Sequence, residues 1–192
     1  MLALRELLAR PGLAAQGVRM LPCAAGTMIF PTAVLEPSLL ERLLQYETTD
    51  NSHTRAQSMY YVRGFPRSKL LAQAQAMEWY DFNSELPLQQ CNRLQFIADA
   101  PGWFDGVLLH LRVQLDEHTC IDSFASQTTW SCIYVRLLGI GHAIWLAGGS
   151  RIELHCRIDV GSHTPRYAIS ASIAQPGGEL QHVASYSWCG DN

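Results

Sequence analysis

"GVLLHLRVQLD", residues 106–116, carries the signature of a β-strand in its own composition. Val107, Leu109, Leu111, Val113 and Leu115 alternate with His110, Arg112, Gln114 and Asp116. Side chains two apart share one face of a strand, so this spacing predicts a half-buried strand with its polar set on the other face. "RIELHCRIDV", residues 151–160, repeats the pattern: Ile152, Leu154, Cys156, Ile158 and Val160 face one way, and Arg151, Glu153, His155, Arg157 and Asp159 the other. Further strands are predicted at 92–98, 119–124, 131–137, 167–173 and 182–188, punctuated by turns such as "ADAPGW", "LDEH" and "QPGGE". A run of short alternating strands separated by turns indicates a mainly β chain, an antiparallel sandwich or barrel.

The first 78 residues read differently. Leu4, Leu7 and Leu8 fall on one face of an N-terminal helix that Pro11-Gly12 would stop. Residues 27–35 read as a strand whose proline favours an edge or a bulge. A helix is expected from Pro37, since proline suits the first helical turn, and Leu39, Leu40, Leu43 and Leu44 then form an apolar stripe. Another is expected at 68–77, with Ser68 as cap and Leu70, Leu71 and Ala74 together on one face. Between these helices, "ETTDNSHTRAQ" reads as a loop.

Composition narrows the function. The chain has 192 residues, 48% hydrophobic, with a formal net charge of -3, enough to bury a core as one domain. Lys and Arg are scattered singly, which argues against a nucleic-acid or anionic-membrane partner, because phosphate neutralisation needs clustered positive charge. No apolar run reaches the roughly 18 to 20 residues that cross a bilayer as a helix. Arg5, Glu6 and Arg10 interrupt the opening apolar stretch and spoil a signal-peptide reading, which places the protein in the cytoplasm or nucleus.

The chemistry-bearing motifs are few. Six cysteines contain no CxxC pair, so reduced thiols are expected rather than a disulfide framework. His118 with Cys120, and His155 beside Cys156, lack the paired spacing of a zinc site, and strand neighbours point to opposite faces, so no metal is expected. Gly139 and Gly141 make a GxG without the third glycine, the long helix or the following acid of a nucleotide fold, and are expected to turn a loop between antiparallel strands. His142 near Asp122 is one of many pairs that seven histidines allow, and no catalytic residue is assigned.

"SFASQTTWSCIYVRL", residues 123–137, poses a sharper question: Trp130, between a polar loop and an apolar strand, is either a core anchor or part of a substrate site. Four segments bear on it. "LLARPGLAAQGVRMLP" looks like the last helix and strand of a methyltransferase domain, and "YYVRGFPRSKL" looks like an aromatic-Gly-Phe segment preceding a helical arm. "GWFDGVLLHLRVQLDEHTCIDS" is similar to a strand pair including a barrel's central strand, and "QTTWSCIYVRL" with "WLAGGSRIELHCRI" to a T-H-W loop, its strand and the next hairpin. In this order, over about residues 17–188, the chain resembles the C-terminal β-barrel domain of the protein arginine methyltransferases.

The resemblance implies a division at residue 22: a tail of a methyltransferase domain over 1–22, then a β-barrel domain over 23–192 with a helical insertion at about 36–78 serving as dimerisation arm. It implies that Thr128, Thr129 and Trp130 help form the substrate-arginine pocket, although Thr129 replaces the family's histidine, whose role does not carry over. Leu39, Leu40, Leu43, Leu44, Leu70 and Leu71 are the implied dimerisation surface. The family's S-adenosylmethionine domain and its paired glutamates would precede Met1, so this chain alone is expected to hold no cofactor and to be inactive, the cofactor belonging to the parent enzyme. The implied partners are an arginine-bearing protein substrate and either a second copy or a methyltransferase domain. The competing reading is a non-enzymatic β-sandwich that binds a protein or carbohydrate through Trp103 and Phe104.

Overall fold

A computed structural model of the chain describes residues 19–48 and 58–189, with 45–48 as backbone only. The strands are β1 (Ala24–Ala33), β2 (Leu44–Thr48), β3 (Ser58–Val62), β4 (Gln75–Ala76), β5 (Tyr80–Asp81), β6 (Gln89–Ile97), β7 (Gly102–Gln114), β8 (Cys120–Asp122), β9 (Cys132–Arg136), β10 (Ile144–Leu146), β11 (Arg151–Asp159), β12 (Arg166–Ala174) and β13 (Gln181–Cys189). Among the described residues the one α-helix is α1 (Pro37–Leu43), after β1. The described strands form two antiparallel sheets in a sandwich-like arrangement rather than one closed barrel. The larger runs β2-β3-β9-β7-β1-β4, with β10 and β8 also on β7 and β5 on β1, and the smaller runs β13-β12-β11-β6.

The alternation expected in residues 106–116 builds the core. Val107 and Leu109 of β7 join Ile29 and Val135 from the larger sheet, and Leu94, Ile152, Leu154, Ile169 and Ala171 from the smaller one, in a single buried cluster. The inward set of β11 is almost wholly excluded from solvent, while Arg151, His155 and Arg157 lie on its exposed outer face. Period two reports such a strand faithfully because one face meets apolar neighbours and the other meets water.

The other face of β7 is a correction. It was expected to carry a polar set, yet Leu108 and His110 are buried there. A second cluster of Phe30, Leu35, Leu40, Tyr60, Val62, Phe65, Leu108, Cys132 and Tyr134 covers this side. His110 survives burial by stacking on Phe30, with ring centroids 5.2 Å apart, and against Phe124 at 5.6 Å.

Residues 68–77 are the second correction, for no helix forms there. A short 3-10 turn at Arg67–Lys69 leads into an extended segment that runs antiparallel to β1: Leu71 N–H donates to Pro31 O at 2.9 Å, and Met77 N–H to Thr27 O at 2.8 Å. Leu71 enters the inter-sheet core and Leu70 packs on the second cluster, so these neighbours serve opposite faces rather than one stripe. Backbone bonds to β1 thus replace i to i−4 bonds, a tertiary override of helix propensity.

α1 begins at Pro37 as the sequence reading expects, but Leu44 already starts β2, which pairs with β3. Glu47 and Thr48, the first two residues of the stretch read as a connecting loop, therefore belong to β2, and residues 49–57 lie outside the described residues. Pro31 sits within β1 one residue before a register shift between Thr32 and Ala33, the bulge its ring favours. The expected N-terminal helix with Leu4, Leu7 and Leu8 lies outside the described residues.

Candidate binding cleft between the two sheets

Trp130 is not a core anchor: it is 45% exposed. The turn that presents it is held by its own hydroxyl, since Trp130 N–H donates to Thr128 Oγ1 at 3.2 Å and Thr128 O–H donates to Trp130 O at 3.2 Å. This is how a threonine two residues back organises a tight turn. From the other side, Arg63 at the end of β3 donates to Thr129 O at 3.1 Å. "YYVRGF" and "QTTW", the two segments singled out in the sequence, are thereby tied together.

Thr129, Trp130 and Ser131 border a cleft of about 510 Å³. Thr27, Leu109 and Ile133 line it from the larger sheet, and Tyr167 and Trp188 from the smaller one. Its size and mixed aromatic and aliphatic walls fall within the range of small-ligand and side-chain sites. Tyr167 stacks on Trp188 with centroids 5.2 Å apart and an interplanar angle of 15°, which makes a flat aromatic surface on the β12-β13 side. Among the described residues none that lines it is Asp, Glu, Lys or Arg, so the cleft offers shape, aromatic faces and hydroxyl groups rather than paired charge.

A carboxyl nonetheless lies close behind. Thr27 O–H donates to Glu78 Oε1 at 2.7 Å, and Tyr80 O–H to Glu78 Oε2 at 2.9 Å. Burial raises the Glu78 carboxyl above the ordinary range against these two donors, and burial together with the Glu78 charge pushes Tyr167 up to about 12. The approach of this segment to β1 requires Gly26, because a Cβ there would collide with Glu78 O and the Trp79 side chain. Sequence reasoning missed Glu78: one acid in an irregular stretch gives no signal until the chain folds over β1.

The other sequence candidates separate. Leu40 is 7% exposed and packs in the second cluster, and Leu71 is buried in the main core. Leu39, Leu43, Leu44 and Leu70 are half-buried at the margin of that cluster. Gly139 and Gly141 turn the chain between β9 and β10, with His142 N–H donating to Gly139 O at 2.9 Å. Asp122 is paired by His110 Nδ1 at 3.0 Å, while His142 is exposed. Among the described residues no group of three or more His, Cys, Asp or Glu side chains is arranged to hold a metal ion. On a separate surface, Trp103 and Trp145 face each other across β7 and β10, 50% and 47% exposed, in a T-shaped contact with centroids 5.3 Å apart. Phe104, grouped with Trp103 in the sequence reading, is wholly buried.

No family model matches the chain, and no curated protein matches it. Among solved structures the chain is similar to the Trypanosoma brucei PRMT1 enzyme-prozyme heterotetrameric complex with AdoHcy, with a TM-score of 0.62 at 10% identity, over 97% of this chain and 64% of that chain. At that identity the likeness is one of fold. The present chain spans about 64% of that chain's length.

Proposed function

We propose that this chain is the substrate-binding and dimerisation domain of a protein arginine methyltransferase-like enzyme. The observation that carries the reading is Trp130, which is held by Thr128 and, through Thr129, by Arg63 at the rim of the inter-sheet cleft instead of being spent on the core. The fold-level likeness to a chain whose structure contains AdoHcy supports S-adenosylmethionine as the cofactor of the parent enzyme.

The described residues do not fit that cofactor themselves. The cleft has no acidic lining residue to hold a ribose, and Gly139 and Gly141 lie in a turn between antiparallel strands rather than between a strand and a helix. In this reading a separate methyltransferase domain holds the donor and the acids for the guanidinium, and this domain contributes a wall and an aromatic rim that orient the substrate. Positioning of that kind is a large part of catalysis in a transfer between two bound molecules. The partly exposed Leu39, Leu43, Leu44 and Leu70 are the part of the apolar arm open to a second copy or a neighbouring domain.

Two measurements test the reading. Calorimetric titration of the chain with S-adenosylmethionine should show no binding; micromolar affinity, roughly 8 kcal/mol, would overturn the division of labour. When a methyltransferase domain supplied separately restores methylation of arginine peptides, Trp130→Ala should reduce the rate without lowering stability. Equal activity of a Trp130→Ala assembly would remove Trp130 from the substrate site.

The Trp103 and Trp145 pair favours a second reading, a non-enzymatic sandwich that binds a carbohydrate or protein partner. Two half-exposed indoles in contact offer a stacking surface of the kind such ligands use. Quenching or blue-shift of tryptophan emission by oligosaccharides, lost in Trp103→Ala and Trp145→Ala, would support it, and an unchanged spectrum with every sugar class would count against it.

A further inference from the structure

The outer face of the smaller sheet holds a thiol and an imidazole in hydrogen-bond contact. Cys91 Sγ of β6 lies 3.0 Å from His155 Nε2 of β11, and both residues are exposed. The contact is diagonal: Cys91 stands directly opposite Arg157, and His155 directly opposite Arg93. We propose that Cys91 is a nucleophilic thiol with His155 as its base, a covalent modification site for small uncharged electrophiles.

Three features support the assignment. A nucleophile and a base within hydrogen-bond reach are the minimum for activating a thiol, because the thiolate rather than the thiol attacks. With the proton of the neutral imidazole on Nδ1, Nε2 is free to accept the thiol proton. Cys91 also stands directly opposite an exposed cationic residue, Arg157, on the same face of the sheet. The charged groups around the pair are Arg157, Arg93 and the acids Glu153 and Asp159; of these, Glu153 is engaged by Arg93 Nε at 3.1 Å and Asp159 accepts from Gln89 at 3.2 Å. Finally, β6 is an edge strand of its sheet, and the pair lies on its solvent side, so among the described residues no strand covers it.

In the step itself the thiol proton moves to His155 Nε2 and the thiolate forms a bond to the electrophilic carbon. The leaving group departs with its bonding electron pair. With iodoacetamide this means that a C–S bond forms, a C–I bond breaks and iodide is released, with no oxidant needed. The chain supplies its own comparison thiols: Cys120 and Cys189 are also exposed, and Cys120 Sγ, which accepts from Arg112 Nε at 3.2 Å, controls for a neighbouring cation in place of an imidazole.

Alkylation of the folded full chain with limiting iodoacetamide, followed by peptide mass spectrometry, tests the proposal. Cys91 should react about tenfold faster than Cys120 and Cys189 at neutral pH, as expected for a thiol in contact with a general base. In His155→Gln the Cys91 rate should fall, with the other two sites unchanged. In urea, where the sheet is lost, the three wild-type rates should converge. Rates at Cys91 that match the other two in the folded protein, or that His155→Gln leaves unaltered while circular dichroism shows an intact sheet, would overturn it.

Discussion

Tyr134 donates its phenolic hydrogen to Asp105 Oδ2 across 2.5 Å, in a part of the protein almost closed to water. Arg136, two residues along β9, brings Nε to 3.5 Å from the same oxygen and lies over the rings of Tyr60 and Tyr134 at 5.5 and 5.8 Å. Burial raises the Asp105 carboxyl against the pull of both partners. A buried ion pair is costly to break from one side, because the survivor keeps its desolvation penalty.

Tyr134→Phe should therefore destabilise the fold by about 2 kcal/mol through loss of one hydrogen bond to a charged acceptor. Asp105→Leu should cost more, about 3 to 5 kcal/mol, because Arg136 is left without its anion. Urea unfolding read by far-ultraviolet circular dichroism gives both numbers, and a Tyr134→Phe loss near zero would show that the contact is dispensable.

Glu78 makes stability depend on acidity in a definite direction. Its folded carboxyl is raised above the unfolded value of about 4.3, chiefly by burial, so the native state holds the proton more tightly. The corresponding stabilisation is full below that value and is lost as pH rises through the raised folded one. Glu78→Gln stays neutral throughout, so its stability relative to wild type should improve as pH rises from about 4 to 7. A difference that stays constant over that range would mean that Glu78 does not titrate differently on folding.

His110 acts with the opposite sign. Burial lowers its folded value against the attraction of Asp122, so the unfolded chain takes up the proton first. Stability should fall as pH drops below about 6.5 toward the lowered folded value. His110→Phe keeps a ring for Phe30 and Phe124 to stack on and should flatten this dependence, measured as unfolding midpoints between pH 5 and 8. A slope unchanged in the variant would assign the effect elsewhere.

The leucines of α1 divide into a buried one, Leu40, and two half-buried ones, Leu39 and Leu43. Leu40→Ala should cost about 2 to 4 kcal/mol, since it opens a cavity among Leu35, Phe65 and Tyr134. Leu39→Glu with Leu43→Glu touches half-buried side chains and should spare the fold while weakening any self-association. Sedimentation mass that is the same for wild type and the double variant at every concentration would take those two residues out of an interface.

Local pattern alone determined a good part of this protein. The period of two in residues 106–116 and 151–160 reappears as β7 and β11, with Val107 and Leu109 of the first stretch and all five apolar residues of the second in the inter-sheet core, and Pro37 starts a helix as its fixed backbone angle favours. The glycines at 139 and 141 were legible as a turn because their context lacked a helix. Other features were set only by the tertiary structure. Period two says which residues share a face but not what will cover it, so His110, placed with a polar set, is buried by a second cluster. Leu70 and Leu71 fit a helical stripe until the chain meets β1, whose free backbone groups draw the segment into extended pairing. Trp130 is the clearest case. Its sequence is equally compatible with a core and a site, and its place at the cleft rim rests on Arg63, 67 residues away, and on β12 and β13 across the sandwich. Periodicity is a property of neighbours in the chain, whereas a site is made by surfaces that meet only after folding.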